Sequence, residues 1–494
     1  VTDLTTSALR TVTAGWLALR LVAASQVGFG DSEALYASYA LHPQPAYLDH
    51  PGLVGLVARA VGSGTAPTPA RAHLFTAFVS VAVPLAMAAL CRACGASPRR
   101  AAAAALVFAF VPEIAVGLFA LTPDLLLAPA WIGALICAAI GLRSTPGSAR
   151  ASFAFAAAGL LAGTATAAKV SGALLVVALA AAYMAPQARA HSRSVAPWAG
   201  LVAGAVVLVP VIVFEQRTAW PMVTHRLVDT QQGSGLSLRN LGVLVGGQLA
   251  YVSPIVAVLA ALGAREAWSA RRGEGPVGRL LWWAFAIPFA VLFPLCAWSR
   301  AAEPHWLAPA LLALVPAMAR SERLWPPRWI AAGGALAAAM SLAVYAWVLV
   351  PELQRVVPVA ADPKTDIANE LHGWPQVIRE VLRQTEAQST PVTARGDVVV
   401  VGPHWVICAQ LEAALKGDPP VGCDTPVRDD FDTWWPRDSW QHADAIIWVT
   451  DARFGPPPRL ENYALLRTAQ IRVMRGGRVA RFFTVATLTS RSQS

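Results

Sequence analysis

The stretch Leu21-Val22-Ala23-Ala24-Ser25-Gln26-Val27-Gly28-Phe29-Gly30-Asp31-Ser32-Glu33-Ala34-Leu35-Tyr36 carries the chain from an apolar run directly into two carboxylates. A second polar knot, Tyr47-Leu48-Asp49-His50-Pro51, follows in the same loop. A further carboxylate, Asp124 in Leu121-Thr122-Pro123-Asp124, stands just ahead of a later apolar run. Carboxylates held close to hydrocarbon are costly, so each is a functional candidate.

Composition extends this membrane reading to most of the chain. It is 56% hydrophobic and 14% charged, against about 25% charged in an ordinary soluble domain. Eleven apolar runs are long enough, or nearly so, to cross a bilayer. They are Ala8–Val27, Ala72–Leu90, Ala101–Leu118, Leu125–Leu142, Phe153–Ala168, Val170–Ala185, Ala196–Phe214, Leu241–Leu262, Leu280–Ala297, Trp306–Ala319 and Trp329–Val350. The fifth, sixth and tenth are short. Arg20 interrupts the first run and no small-residue cleavage site precedes Asp31, so this run reads as a retained helix rather than a signal peptide. The expected fold is an all-α membrane bundle over residues 1–350, with an outer loop, 28–71, carrying Asp31, Glu33 and Asp49.

The net charge of +10 would suggest nucleic acid in a soluble protein. Here it sorts by loop. One alternating set of loops holds fourteen basic residues, among them Arg92, Arg99, Arg100, Arg143, Arg150, Arg265, Arg271, Arg272 and Arg323. The other set holds seven: Arg59, Arg71, Lys169, Arg217, Arg226, Arg239 and Arg300. Short basic loops stay in the cytoplasm. The N-terminus is therefore expected inside, and Asp31, Asp49, Asp124 and the tail after Val350 outside. No nucleic-acid partner is expected.

From Pro351 to Ser494 the chain is more polar and lacks a spanning run. Trp374–Thr385 reads as a helix, and Asp397–Val401 and Asp444–Val449 as short buried strands. Residues 351–494 are expected to form an α/β domain outside the membrane, joined through a linker at Glu352–Pro363. There is no Gly-rich phosphate loop and no internal repeat. Cys91-Arg92-Ala93-Cys94 is a lone pair without a second pair or a nearby histidine, a poor zinc signal. Cys137 and Cys296 lie in apolar runs, as packing residues do. Cys408 and Cys423 both fall in the outer tail, where a disulfide can form or both can stay free.

The order of motifs resembles the GT-C glycosyltransferases related to protein O-mannosyltransferases and to the lipid A aminoarabinose transferase. A DE-A-x-Y motif appears as Asp31-Ser32-Glu33-Ala34-Leu35-Tyr36, and a G-Y-x-D-H-P-P-L block as Ala46-Tyr47-Leu48-Asp49-His50-Pro51-Gly52-Leu53. Thr122-Pro123-Asp124 opens a helix, and Lys169-Val170-Ser171 separates two others. Gln232 to Leu241 and Glu303-Pro304-His305-Trp306-Leu307-Ala308-Pro309 complete the series, with Gly373-Trp374 and Asp430 to Trp434 in the tail. Two positions depart from the pattern. Ser32 interrupts the usual adjacent Asp-Glu pair, and His305 stands where the family has Asn.

The resemblance implies an integral membrane enzyme of the bacterial cytoplasmic membrane. It would move a sugar from a polyprenyl-phosphate donor to an envelope acceptor, whether lipid, glycan or protein, on the outer face. An acceptor hydroxyl needs a general base; Asp31 or Glu33 is expected in that role, Asp31 ahead of Glu33. Cations stabilise the departing phosphate; Lys169, His225, Arg226, Arg239, Arg300 and His305 are the outer-face candidates. Asp49, His50, Asp124 and Glu303 are expected to bind substrate. Each residue also has a plainer reading: Asp31 and Asp124 as helix caps, Asp49 as a turn former, Lys169 as a snorkelling anchor, and Trp220, Trp298 and Trp306 as an interfacial belt. No ligand set requires a metal, so no cofactor and metal-independent activity are expected. A lipid-linked sugar flippase, or a polymerase or ligase of similar topology, is the alternative.

Overall fold

The computed structural model describes residues 2–270, 275–300, 303–321, 327–357, 362–363, 365–388 and 398–491. Arg271, Arg272, Arg323, Asp397 and part of the expected linker lie outside the described residues. Five helices are individually long and apolar enough to cross a membrane. Four further helix pairs, each bent by more than 40° at a short break, qualify as broken spans or re-entrant loops, for up to nine in all among the described residues. The expected runs Ala8–Val27 and Trp306–Ala319 fall outside this count. The first forms most of α1 (Thr2–Ala24). The second is split into short pieces ending in Leu314–Arg320. The run Leu241–Leu262 is bent by 104° between Leu238–Tyr251 and the helix that begins at Pro254, a proline that cannot donate to the preceding turn.

Local chemistry sets where these helices begin. After α2 (Asp31–Ser38) and α3 (Leu53–Val61), α4 (Pro69–Ala93) and α5 (Pro98–Phe110) each start on a Ser/Thr-Pro pair. The Thr68 and Ser97 hydroxyls accept from the backbone N–H groups of Arg71 and Arg100, and proline suits the first helical position. Pro112 then breaks the α5 span, which turns by 71° into α6 (Pro112–Ala115). The break frees carbonyls in a setting without water. Arg20 of α1 meets them: its guanidinium donates to the carbonyls of Ile114 (2.8 Å), Ala115 (2.7 Å) and Leu118 (3.0 Å), and to Ser80. The residue that disturbs the first apolar run thus fixes a bend in its neighbour.

The next helices are α7 (Pro123–Arg143), α8 (Ala149–Ala168) and α9 (Ala173–Met184). α8 packs against Ala196–Val207 through Gly159 and Gly163 on one side and Gly200 and Gly204 on the other. A Cβ at Gly159 would sit 1.7 Å from the Gly200 carbonyl oxygen. Two small-x-x-x-small rows therefore let the backbones touch.

The C-terminal unit holds a five-stranded sheet of order β2-β1-β3-β5-β4. β1 (Val398–Gly402), β2 (Val421–Cys423) and β3 (Ala445–Asp451) are parallel, while β4 (Tyr463–Arg475) and β5 (Arg478–Ser490) form an antiparallel hairpin. The helix Trp374–Gln388 forms as expected. Sequence reading missed the hairpin, although Gly476 (φ +57°) and Gly477 (φ +78°) form the tight turn that a Gly-Gly pair signals. Cys408 and Cys423 are joined by a disulfide.

Candidate active site

The loop between α1 and α3 places Asp31 and Glu33 in surroundings different from those of Asp49 and His50. Gly30, not Asp31, is the N-cap of α2, and Asp31 and Glu33 lie in its first turn, both buried. Asp31 meets the sheet unit: its Oδ2 accepts from Arg453 Nη1 at 2.9 Å and its Oδ1 from Gln410 Nε2 at 3.3 Å. Arg453 is also paired with Asp451, which binds Arg481. Burial opposes the Asp451 charge, yet these arginines hold its pKa below the usual carboxylate value. Glu33 turns inward, 3.0 Å from His73 Nε2 and accepting from the Leu121 N–H at 2.7 Å. It thereby ties α2 to α4 and to the approach to α7.

Further contacts clamp the rest of the loop to the sheet unit. Asp430 accepts from the Tyr39 hydroxyl (2.9 Å) and from the Leu48 N–H (3.0 Å), and His42 pairs with Glu412 at 2.7 Å. Burial raises the Asp430 pKa to about 6, against the pull of its two donors. Tyr39 stacks on Tyr47 with ring centroids 3.6 Å apart. This frame sets the position of Asp49 and His50.

Asp49 and His50 line a cavity of ≈ 340 Å³ together with Lys169 and Arg226. Most of the remaining wall is apolar, including Val170, Leu174, Leu227, Val291, Leu292, Leu295 and Trp306. Arg226 donates from Nε to the Asp49 carbonyl at 3.0 Å and pairs through Nη2 with the Asp49 carboxylate at 3.1 Å. His225 Nε2 lies 3.6 Å from that carboxylate. Burial resists the Asp49 charge, but His225 and Arg226 hold its pKa at about 2. Burial, reinforced by the Arg226 charge, lowers the His50 pKa to about 3, so His50 is neutral.

Lys169 caps the C-terminus of α8 and reaches across to α7, where Nζ donates to both Asp124 oxygens at 2.9 and 2.8 Å. Thr122 is the N-cap of α7 and Asp124 lies in its first turn, where the helix dipole favours a carboxylate. His305 approaches Asp124 at 3.7 Å and Glu303 at 3.1 Å. Burial works against the imidazolium, yet the Glu303 hydrogen bond and Asp124 raise its pKa above the usual histidine value. The His305 hydrogen bond in turn lowers that of Glu303. Trp306, expected in an interfacial belt, lies beneath both cations: Lys169 Nζ is 5.8 Å and Arg226 Cζ 5.5 Å from its ring centroid.

The structure thus gathers Asp49, His50, Asp124, Lys169, His225, Arg226, Glu303 and His305 into one connected cluster. Asp31 and Glu33 are not among the residues lining its cavity. Arg239 and Arg300 line a neighbouring pocket instead. Sequence reasoning missed Arg453 and Glu412 as partners of the outer loop; isolated charges in a polar tail carry no signal of what they will face. Among the described residues no group of three or more His, Cys, Asp and Glu side chains is arranged to hold a metal ion.

Residues 54–214 match the family model of dolichyl-phosphate-mannose-protein mannosyltransferases. The whole chain is similar in structure to ArnT from Cupriavidus metallidurans in the apo state, with a TM-score of 0.61 and 18% identity over 97% of this chain and 98% of that one. The chain has the fold of a GT-C glycosyltransferase. The same ArnT bound to undecaprenyl phosphate gives a TM-score of 0.59 and 16% identity, covering 98% and 97% of the two chains. The archaeal oligosaccharyltransferase AglB from Archaeoglobus fulgidus, in complex with an inhibitory peptide and a dolichol-phosphate, gives 0.52 and 13%, over 90% of this chain and 69% of that one. No curated protein sequence matches. At these identities the structural likeness concerns the GT-C fold.

Proposed function

We propose that this GT-C chain transfers a sugar from a polyprenyl-phosphate donor to an envelope acceptor at the outer face of the bacterial cytoplasmic membrane. One observation carries the reading: Lys169 and Arg226 converge on a cavity whose wall is otherwise largely apolar. A phosphate on a hydrocarbon tail needs both features in one place. ArnT and AglB, which share the fold, are known with undecaprenyl phosphate and a dolichol-phosphate bound. Residues 1–350 are the catalytic bundle in this reading and residues 351–494 the outer domain. The arginine-rich loops lie inside with the N-terminus, and the Cys408–Cys423 disulfide suits an oxidising exterior.

The chemistry follows from the pairings. Lys169 and Arg226 hold carboxylates; a lipid phosphate competes for the same donors as a stronger, bidentate partner. The acceptor hydroxyl attacks the anomeric carbon while the bond from that carbon to the phosphate oxygen breaks. The bonding electrons go to the phosphate, whose growing charge Lys169 and Arg226 stabilise, with His305 beside them. Asp49 takes the acceptor proton. It lines the cavity with a third of its side chain exposed. Losing Arg226 to the phosphate raises its low proton affinity towards the range a base requires. Asp124 positions Lys169. Asp31 and Glu33, saturated by protein partners, hold the loop. No metal takes part in these steps; activity abolished by a chelator and restored by a divalent ion would overturn that point.

The test is release of undecaprenyl phosphate from a pool of undecaprenyl-phosphate sugars by the full chain in bilayers, with envelope lipids and glycans as acceptors. Wild type is expected to release it, and Lys169→Gln and Arg226→Gln to be slowed about 100-fold or more. Equal rates for wild type and both variants, with folding intact, would overturn the assignment.

A further inference from the structure

The loop that carries His305 separates two pockets. On its far side Arg239, Asn240, Ser299, Arg300 and Pro304 line a second, polar one of ≈ 330 Å³. One hydrophobic cluster forms the partition: Leu244 and Cys296 face this pocket, Leu292 faces the Lys169 cavity, and Trp306 packs against them.

The pocket is braced. The Gly235 N–H donates to the Trp298 carbonyl at 3.0 Å, the Arg300 N–H to Ser234 Oγ at 3.3 Å, and Asn240 Nδ2 to the Trp298 carbonyl at 3.4 Å. Gln248 Nε2 donates to the Pro304 carbonyl at 2.7 Å. A Cβ on Gly247 would lie 2.3 Å from Pro304 Cβ, so the close approach of this helix to the partition depends on glycine. The two arginines differ from the other cations of the outer face. Lys169 and Arg226 are ion-paired, whereas among the described residues neither the Arg239 nor the Arg300 guanidinium is paired with a carboxylate. Val243, which lines the pocket, is 53% exposed, and next to Arg239 in the chain Leu236 is 74% and Leu238 89% exposed. Exposed aliphatics of this kind next to a membrane helix face lipid.

We infer that the Arg239–Arg300 pocket is a second anion site, which binds a phosphate group carried by a membrane-embedded amphiphile. Two guanidiniums with no carboxylate partner among the described residues supply bidentate donors matched to phosphate oxygens. The amide of Asn240 adds a neutral donor, and the exposed aliphatics accept the acyl chains. The partition places this phosphate beside the Lys169 cavity but not in it. The amphiphile is either a phosphorylated acceptor or an anionic lipid of the surrounding bilayer; its role as acceptor rests on the transferase reading, its binding does not.

Binding of dioleoyl phosphatidic acid to the full chain in phosphatidylcholine nanodiscs tests this, with undecaprenyl phosphate titrated in parallel. Removing both guanidiniums in Arg239→Gln/Arg300→Gln is expected to weaken phosphatidic acid by at least about tenfold, with undecaprenyl phosphate affinity within about twofold of wild type. Arg226→Gln is expected to do the reverse. Arg239→Lys/Arg300→Lys keeps the charge without the planar fork and is expected to fall between wild type and the Gln pair, which separates loss of the site from loss of the fold. Phosphatidylglycerol distinguishes the sources. A preference of about tenfold or more for the phosphomonoester assigns the site to a phosphorylated substrate, and equal arginine-dependent binding assigns it to the bilayer. Phosphatidic acid affinity unchanged in the Gln pair, or lost together with undecaprenyl phosphate, would overturn the inference.

Discussion

Two pairs of carboxylates, Asp31 and Glu33 in α2 and Asp49 and Asp124 beside the cavity, stand in opposite states. At Asp31 and Glu33 the carboxylates are 5% and 2% exposed, and each is enclosed by protein donors. At Asp49 and Asp124 they are 33% and 21% exposed and pair with cations that border a cavity. An ion pair sealed between two structural units fixes their relation. An ion pair open to a cavity is a pair that a ligand can exchange. In the proposed mechanism the loop divides its labour, with α2 as the fastening and the Asp49-His50 turn as the working end.

The comparison breaks first at the working end. Asp49→Asn is expected to lower kcat by about 10²–10⁴-fold, the usual contribution of a general base, while leaving the melting temperature close to wild type; turnover and thermal unfolding of the same preparation check both. The fastening end should show the opposite pattern. Asp31→Asn removes the partner of Arg453 across the two units while its Asp451 pair remains, at a cost of about 1 kcal/mol or more. A clear drop in melting temperature, with turnover retained at low temperature, is the expected outcome.

The disulfide probes the sheet unit that receives the fastening. Cys408→Ser/Cys423→Ser opens a loop of sequence separation 15, worth about 3 kcal/mol by the chain-entropy argument. Thermal unfolding should fall accordingly without change in donor affinity.

A pH dependence is also expected at the working end, and it is absent at neutral pH. Burial, helped by the Arg226 and Lys169 charges and opposed by Asp49 and Asp124, lowers the His50 pKa from 6.5 to about 3. A base with a lowered native pKa stays neutral in the fold while the unfolded chain takes up a proton. Its contribution is therefore present above pH 6.5 and is lost as pH falls towards 3, by at most about 1.4 kcal/mol per pH unit. The difference in melting temperature between wild type and His50→Gln should shrink or reverse across that window and be flat above it.

Much of this was legible in the residues. Apolar runs pointed to the bundle, and the Asp49-His50, Thr122-Pro123-Asp124, Lys169 and Glu303–Trp306 blocks come together as one cluster. What stayed hidden depends on distant partners. Asp31 and Asp49 look alike as sequence, and only the return of Arg453 and Gln410 from the tail gives Asp31 its different partners. The bend at Pro112 was hidden for the same reason, since Arg20 reads as a flaw in α1 until the carbonyls it serves are seen. The β4–β5 hairpin was within reach through Gly476-Gly477.

The most direct measurement is undecaprenyl phosphate release by Asp49→Asn, Asp31→Asn and Glu33→Gln, compared with wild type in one bilayer at a temperature where all four are folded. The account predicts that Asp49→Asn is nearly silent while Asp31→Asn and Glu33→Gln turn over. An active Asp49→Asn beside a silent Asp31→Asn or Glu33→Gln would contradict it and return the base to α2.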